Sequence, residues 1–270
     1  MTLQHTKAVI LAASSHGEAD KIVTFYGRET GKRKGIAKGA QRSRIRFVNK
    51  LELFSLLELS YEESRTGSLV RIDQAELLQP FAAIRSDYHK YTAACLLGEL
   101  LLAWLEEAAP DPPLFSLLLW SLQAIANDGA QQMGAKLNGQ QNTLSTMATV
   151  VFFELKLLDL LGYRPALDSC QLCRRPAPAG YPYHFSLAAG GLLCPTCNRP
   201  SESRLSLIPL SLATAKILAK AQDTANDKLS RLRLPATSGR EAMNFLHHYS
   251  RHLLQRDIHS RSCLQNLLAI

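Results

Sequence analysis

The sequence has no long hydrophobic run and no segment at its start that is typical of an export signal. The most leucine-rich stretch, Leu96 to Leu105, contains Glu99 and is only ten residues long, whereas a membrane-spanning helix needs roughly 20 apolar residues. His5 and Lys7 interrupt any apolar signal core near the first residue. We therefore expect a protein without membrane spans that stays in the cytoplasm.

Two signatures of catalysis are also missing. Gly31-Lys32 is followed by Arg33, at the place where a nucleotide-binding P-loop carries Ser or Thr. Asp159 and Asp168 stand alone in the sequence, and Glu62-Glu63 is typical of a solvated turn, so no carboxylate cluster is available to hold catalytic metal ions. The sequence gives no support to nucleotide hydrolysis or to a metal-dependent nuclease, and we expect a protein that is not an enzyme.

Acidic residues are scarce at the N-terminal end. Residues 1–50 contain eleven Lys or Arg against three acids, which accounts for the whole net charge of +8. Crowded like charges do not favour folding, so we expect this segment to contact phosphates, where each neutralised contact releases a counterion. A solvated charged face without a partner is the alternative. The candidate DNA-binding residues are Lys32, Arg33, Lys34, Lys38, Arg42, Arg44 and Arg46.

Aromatic residues make up only 7% of the chain, but four of them lie in or beside predicted strands near the basic segment. Aromatic rings on such a surface can stack on unpaired bases. They can equally belong to the core of the predicted barrel. Both interpretations stay open for Phe25, Tyr26, Phe47 and Phe54.

The first eighty residues contain five short segments of β character separated by turns with glycine. The segments are residues 8–12, 21–26, 32–37, 51–60 and 68–73. This number of strands fits a small closed barrel such as the OB-fold, because closure removes exposed sheet edges. An SH3-like barrel is the alternative.

The pattern changes to helices after Pro80. We predict an α+β protein in which an N-terminal OB-fold β-barrel is followed by an all-helical domain with an inserted four-cysteine zinc finger. The predicted helices cover residues 96–104, 114–125, 146–161, 209–222 and 240–258, with a loop at 127–143. The predicted domains are residues 1–80, 81–167, 168–200 and 201–270, the third being the zinc-finger module.

Four of the six cysteines form two Cys-x-x-Cys pairs, which are twenty residues apart. Cys170 and Cys173 form the first pair, and Cys194 and Cys197 form the second. This spacing is typical of a structural zinc site, in which four thiolates leave no open coordination position for catalysis. Free or redox-active thiols are the alternative. His184 lies between the pairs and could replace a cysteine, but the complete set favours an exposed strand residue.

The C-terminal region is rich in histidine and arginine. His248 and His252 are four residues apart and share one face of a predicted helix, which would suit a metal ion. Their histidine neighbours favour a polar, basic helix face instead. That face could receive an acidic tail of a protein partner, and its arginines are Arg251, Arg256 and Arg261.

Two long segments resemble the RecO family of DNA repair proteins. The family's N-terminal signature is similar to Gly17-Glu-Ala-Asp-Lys-Ile-Val-Thr-Phe-Tyr-Gly-Arg-Glu-Thr-Gly-Lys-Arg-Lys-Gly-Ile-Ala-Lys-Gly-Ala40. Its central helix resembles Phe153-Glu-Leu-Lys-Leu-Leu-Asp-Leu-Leu-Gly-Tyr163, which the two cysteine pairs follow. Its closing segment is similar to residues 258–262.

The resemblance implies a non-enzymatic mediator of DNA recombination and repair. It would bind single- and double-stranded DNA, anneal complementary strands, and help to load RecA onto DNA covered by single-stranded-DNA-binding protein. RecR, and in some lineages RecF, would be its partners. The protein would act in the cytoplasm, at the nucleoid. The residues themselves also leave open an RNA-binding zinc-ribbon protein or a nucleic-acid-processing enzyme.

Overall fold

The computed structural model describes residues 3–63, 69–129, 139–176, 183–198 and 207–268, with side chains at all of these except 139–145 and 265–268. The chain divides into two compact units, Met1–Ala126 and Asn127–Ile270. A β-barrel and the helices that cover it make up the first unit. A helical bundle with a small sheet makes up the second.

Five strands of the first unit close into a barrel. The strands are β1 (Leu3–His16), β2 (Asp20–Gly27), β3 (Gly31–Ala37), β4 (Leu56–Glu62) and β5 (Leu69–Gln79). They follow the order β1-β2-β3-β5-β4, and β4 pairs with β1 to complete the circle. Only the β3–β5 pair is parallel among these neighbours. This five-stranded closed arrangement is that of an OB-fold, which confirms the predicted fold.

The connection between β3 and β4, residues 38–55, contributes to the barrel core. Phe47 and Leu51 from this connection are buried with strand residues such as Val23, Phe25 and Tyr61. The rings of Phe25 and Tyr61 lie 6.1 Å apart. Because two of its apolar side chains are buried in this way, the connection is anchored to the barrel.

Three helices follow the barrel: α1 (Ala82–Arg85), α2 (Tyr88–Trp104) and α3 (Pro112–Asn127). The Asp87 side chain caps α2. The Asp111 carboxylate accepts from the Leu114 amide at 2.9 Å at the start of α3, an arrangement that satisfies a free helix N–H. The helices cover part of the outer barrel wall, where Tyr26 lies 6.2 Å from the ring of Phe115.

The second unit is built around α4 (Gly139–Leu160), which contacts two later helices. Its buried side chains include Val150, Phe153 and Leu157, as the apolar sequence predicts for a central helix. Gly162 has a φ of 82° just after the helix, a left-handed backbone conformation that is typical of helix ends. The other elements are β6 (His184–Ser186), β7 (Gly191–Leu193), β8 (Leu207–Pro209), α5 (Leu212–Asp223), a 3-10 helix (Asn226–Arg231), α6 (Ala236–Leu254) and α7 (His259–Leu268).

Several predicted boundaries are wrong. The helix predicted at 96–104 begins at Tyr88, and the strand predicted at 51–60 begins at Leu56. The loop predicted at 127–143 ends earlier, since α4 begins at Gly139; residues 130–138 lie outside the described residues. Pro209 ends strand β8 instead of starting a helix, because Ser211 caps α5 and accepts from the Thr214 amide at 3.3 Å. Helix α6 ends at Leu254 because Gln255 has a left-handed backbone. Among the described residues, every helix is too short or too polar to span a bilayer.

Candidate nucleic-acid interface and metal centre

The basic segment occupies β3 and the first half of the β3–β4 connection. Along β3, Gly35 and Ala37 are buried and share one face with Arg33, while Lys34 on the opposite face is exposed. Lys32 shares the face of Lys34 but is half-buried. Strand alternation therefore separates the cations that the sequence groups together.

Lys32 and Arg33 have partners within the chain. The Lys32 Nζ donates to the backbone carbonyls of Leu102, at 3.3 Å, and of Leu105, at the end of α2. Arg33 forms an ion pair with Glu63 at 2.5 Å. Contact with a phosphate would compete with these interactions.

The other five candidate cations are exposed. Arg42 pairs with Glu18 at 3.1 Å, but their side chains are 69% and 90% exposed, and such pairs are weak. Arg46 lies 3.9 Å from Asp73. Within the described part of the chain, no carboxylate lies within 4.0 Å of the other three, which are Lys34, Lys38 and Arg44.

Hydrogen bonds to the β1–β2 turn and to the first residue of β2 fix the start of the connection. The amide of Gly39 donates to the Asp20 carboxylate at 2.8 Å, and the amide of Gln41 donates to the Ala19 carbonyl at 2.8 Å. Further along, the Phe47 amide donates to the Ser43 hydroxyl at 3.1 Å. The cations are thus presented on a backbone that the barrel holds.

Sequence reasoning missed two apolar residues among these cations. Ile45 is 81% exposed and Val48 is 46% exposed. The order Arg44-Ile45-Arg46 could have indicated an exposed apolar residue. The isoleucine stands between two arginines, and no β-strand pattern surrounds it.

The four aromatic residues near the basic segment belong to the core. Phe25 and Tyr26 are 0% exposed, Phe54 is 2% and Phe47 is 3% exposed. Their rings are therefore not available to stack on bases in this structure. Phe25 and Phe47 belong to the predicted barrel core, whereas Tyr26 and Phe54 are buried against Phe115 of α3 and Tyr91 of α2.

The two cysteine pairs meet at one place. The sulfur atoms of Cys170, Cys173, Cys194 and Cys197 all lie within 4.8 Å of one another. The Cys173 and Cys194 sulfurs are 3.8 Å apart. All four are free thiols, so the cluster could hold one metal ion.

Tight turns bring the sulfurs together. The amide of Arg174 donates to the Cys170 carbonyl at 2.8 Å, and the amide of Asn198 donates to the Cys194 carbonyl at 2.9 Å. Burial opposes ionisation of the Cys170 thiol, but backbone N–H groups of Cys173, Cys194 and Leu172 lower its pKa to about 6. Hydrogen bonding to the Cys194 sulfur raises the pKa of Cys197 to about 12.

Histidines do not join a metal cluster within the described ranges, where the four cysteines form the single group found. His184 is in β6, as predicted, but it is half-buried, and its Nδ1 lies 3.3 Å from the Asn198 side chain. His248 and His252 are on α6 outside any such group.

One part of the predicted basic C-terminal face is wrong. Arg261 is 1% exposed and forms an ion pair with the fully buried Glu154. Arg251 pairs with Asp257 at 3.1 Å on the surface. Arg261 cannot receive an acidic tail, because its charge is already used to link α7 to α4.

Fold and site together define an OB-fold protein with a cationic barrel surface and a helical unit that carries a four-cysteine cluster of metal-binding geometry. Comparison with known proteins points to one family: the family described as Recombination protein O N terminal matches residues 1–81, and that described as Recombination protein O C terminal matches residues 85–262. The chain belongs to the RecO family of DNA repair proteins.

Several curated relatives carry the name DNA repair protein RecO. The protein of Syntrophobacter fumaroxidans is 33% identical over 86% of this chain and 85% of its own length. The protein of Caldanaerobacter subterraneus subsp. tengcongensis is 31% identical over 99% of both chains. The protein of Anaeromyxobacter dehalogenans is 32% identical over 96% of this chain and 94% of its own length.

Proposed function

We propose that this protein is a non-enzymatic mediator that binds single- and double-stranded DNA, anneals complementary strands and helps to load RecA onto DNA covered by single-stranded-DNA-binding protein. The observation that carries the proposal is the group of exposed cations on β3 and the β3–β4 connection. Lys34, Lys38 and Arg44 belong to this group and have no ion pair among the described residues.

Annealing requires two polyanions to approach each other. Cations held on a fixed surface displace the counterions of one strand and lower the repulsion that a second strand meets. Arg42 can join the contact because its exposed ion pair is easily exchanged for phosphate. Arg46 would first have to release the carbonyls of Asp73 and Lys38, to which its guanidinium donates. Lys32 and Arg33 add positive electrostatic potential to the surface but make little direct contact with phosphates. Lys32 is hydrogen-bonded to the Leu102 carbonyl and Arg33 is paired with Glu63.

We assign the four-cysteine cluster to a structural Zn²⁺ ion. A zinc ion with four thiolates at about 2.3 Å places the sulfurs about 3.8 Å apart in a tetrahedron, and the Cys173 and Cys194 sulfurs are 3.8 Å apart. Cys170, Cys173, Cys194 and Cys197 would be the ligands. Four thiolates fill the coordination sphere, so the ion would hold the module together and would not activate water.

The partners are proposed from the family. RecR, and RecF where it is present, would cooperate with this chain on DNA coated by single-stranded-DNA-binding protein, and RecA would be reached indirectly. This work would take place in the cytoplasm, at the nucleoid. Binding of purified RecR, measured by calorimetry with and without DNA, tests the first of these partnerships.

A strand-annealing assay tests the proposed function. Complementary labelled oligonucleotides are mixed with the purified protein, with and without ATP and with single-stranded-DNA-binding protein bound. We expect annealing that needs no ATP and that the triple variant Lys34→Ala, Lys38→Ala, Arg44→Ala loses. Annealing that requires ATP, or none at all, would contradict the proposal.

Two controls sharpen the assay. The variant Lys216→Ala, Lys220→Ala, Lys228→Ala removes the same charge from exposed positions of the second unit, and we expect it to anneal normally. RNA of matched sequence serves as competitor, because a basic barrel can also bind RNA. Preference for RNA would favour an RNA-binding protein instead.

A further inference from the structure

Ile45 is an exposed aliphatic residue inside the most basic part of the chain. Its side chain is 81% exposed, and Val48, three residues later, is 46% exposed. Single exposed apolar residues are common on proteins and need no explanation. Here, however, the apolar residue stands between Arg44 and Arg46, both of which are exposed.

Contacts hold the backbone at Ile45 and just after it. Phe47 is 3% exposed and belongs to the barrel core. The Lys50 Nζ donates to the Ile45 carbonyl at 3.1 Å. The Arg46 guanidinium donates to the carbonyls of Asp73 and Lys38, both at 3.4 Å. Ile45 is thus held outward by anchored neighbours, and its exposure does not result from a loose segment.

The surroundings of Ile45 select the kind of molecule that can cover it. A protein partner with an apolar surface would bury several arginines without phosphates or carboxylates to pair with them, which is unfavourable. Single-stranded DNA offers both required features, since its bases have apolar faces and its phosphates alternate with them along the chain. Charge complementarity therefore favours single-stranded DNA over an apolar protein surface.

We propose that Ile45, with Val48 beside it, packs against unpaired bases and separates two of them, while the guanidinium of Arg44 contacts a neighbouring phosphate. Aliphatic side chains are known to enter between bases and unstack them. An isoleucine fits any base equally, so the contact does not select a sequence. A strand held with its bases apart is ready to pair with its complement. This inference rests on the proposed function, because it names the contact by which the same surface acts on DNA.

The test uses the full-length protein and single-stranded DNA that contains 2-aminopurine, whose fluorescence is quenched when neighbouring bases stack on it. We expect binding of the unaltered protein to raise the fluorescence, because an aliphatic neighbour does not quench. Ile45→Ala should lose most of that rise and bind about three- to tenfold more weakly. Its salt dependence should be unchanged, because no charge is removed.

Two further variants separate the contributions. Leu78→Ala is the matched control, since Leu78 is 43% exposed on β5 and lies outside the basic segment, and it should behave like the unaltered protein. Arg44→Ala should weaken binding and also reduce the salt dependence by one phosphate contact.

The outcomes distinguish this inference from the proposed function. If the unaltered protein binds with strong salt dependence, but Ile45→Ala has the same affinity and fluorescence rise, the Ile45 contact is refuted and DNA binding stands. If Ile45→Ala binds DNA normally and loses self-association or binding to RecR, the surface serves a protein and the inference is refuted. If the unaltered protein does not bind DNA, the proposed function is refuted, and the inference that rests on it is refuted as well.

Discussion

At the scale of single residues, the same charge has different consequences at different positions of this chain. Lys34 and Arg44 are exposed, so their charges cost little and are available to a polyanion. Arg261 is 1% exposed, so its charge is stabilised by surrounding protein groups and not by water. The sequence does not reveal this difference, because burial depends on contacts between distant segments.

The buried pair of Arg261 and Glu154 links three helices. Ser250 of α6 donates to the same Glu154 oxygen at 2.6 Å. Arg261 also lies 3.5 Å from the Met243 carbonyl. Removal of one member leaves an unpaired buried charge, a change that typically costs about 3–5 kcal/mol.

We expect Arg261→Met to lower the free energy of unfolding by about 3–5 kcal/mol in urea denaturation. The double variant Glu154→Leu, Arg261→Met should recover much of that loss, because no unpaired charge remains. The surface pair of Arg164 and Asp223, at 2.7 Å, provides the control. Arg164→Met should cost at most about 1 kcal/mol. Equal losses for Arg261→Met and Arg164→Met would contradict this account.

At the scale of secondary-structure elements, turns decide how β3 is placed. Gly31, which begins β3, has a φ of 68°, and a Cβ there would lie 2.4 Å from the Ala109 carbonyl oxygen. Gly39, just after β3, has a φ of 71°, and a Cβ there would meet nothing within 4 Å. The two glycines have the same left-handed backbone conformation, but only Gly31 has no room for a Cβ atom.

This contrast gives a matched test. We expect Gly39→Ala to lower the free energy of unfolding by about 1 kcal/mol, the cost of left-handed backbone for a residue with a Cβ. Gly31→Ala should cost at least about 2 kcal/mol more, because the backbone at Ala109 must move. Urea denaturation of both variants measures the difference. Equal costs would mean that the approach of residue 109 to β3 is not tight.

The cysteine module is the element that we propose to depend on a bound metal ion. Phe185 of β6 packs against Phe245 and Tyr249 of α6, with ring centroids 4.6 Å and 5.0 Å apart. If metal binding holds the module, its loss should weaken this packing as well.

We expect the purified protein to contain one zinc ion per chain and a strong chelator to lower its melting temperature by several degrees. Cys194→Ser should lose the ion and show no further response to the chelator, whereas the exposed Cys263 can be changed to Ser without effect. Elemental analysis and calorimetry provide the two readouts. A chelator that removes zinc and leaves the melting curve unchanged would refute the structural role.

At the scale of the whole molecule, the sequence predicts the architecture better than it predicts the surface that we propose to bind DNA. Five strands, their closure into an OB-fold and the central helix α4 follow from local patterns and from the need to cover sheet edges. The spacing of Cys170, Cys173, Cys194 and Cys197 predicts their convergence for a similar local reason. The division of the chain at residues 80, 167 and 200 stays a prediction.

Features that depend on distant contacts could not be predicted in this way. The engagement of Lys32 by carbonyls at the end of α2 requires contact between segments 70 residues apart. Phe47 is buried in the barrel core, whereas Ile45, two residues earlier, is exposed. The local sequence does not show which of the two apolar side chains is buried. The start of α5 at Leu212 depends on the Ser211 cap, which competes with the nearby Pro209 as a helix signal.

The charge distribution is the property on which the whole molecule's proposed role depends. Each phosphate contact on a single strand contributes about −0.7 to the slope of log affinity against log salt concentration. The most direct measurement is this slope for the unaltered protein, for the triple variant at Lys34, Lys38 and Arg44, and for the control triple at Lys216, Lys220 and Lys228. We predict that the first triple reduces the magnitude of the slope by about 2 and that the control leaves it unchanged. An unchanged slope in the first triple, or an equal reduction in the control, would contradict the assignment of DNA binding to the barrel surface.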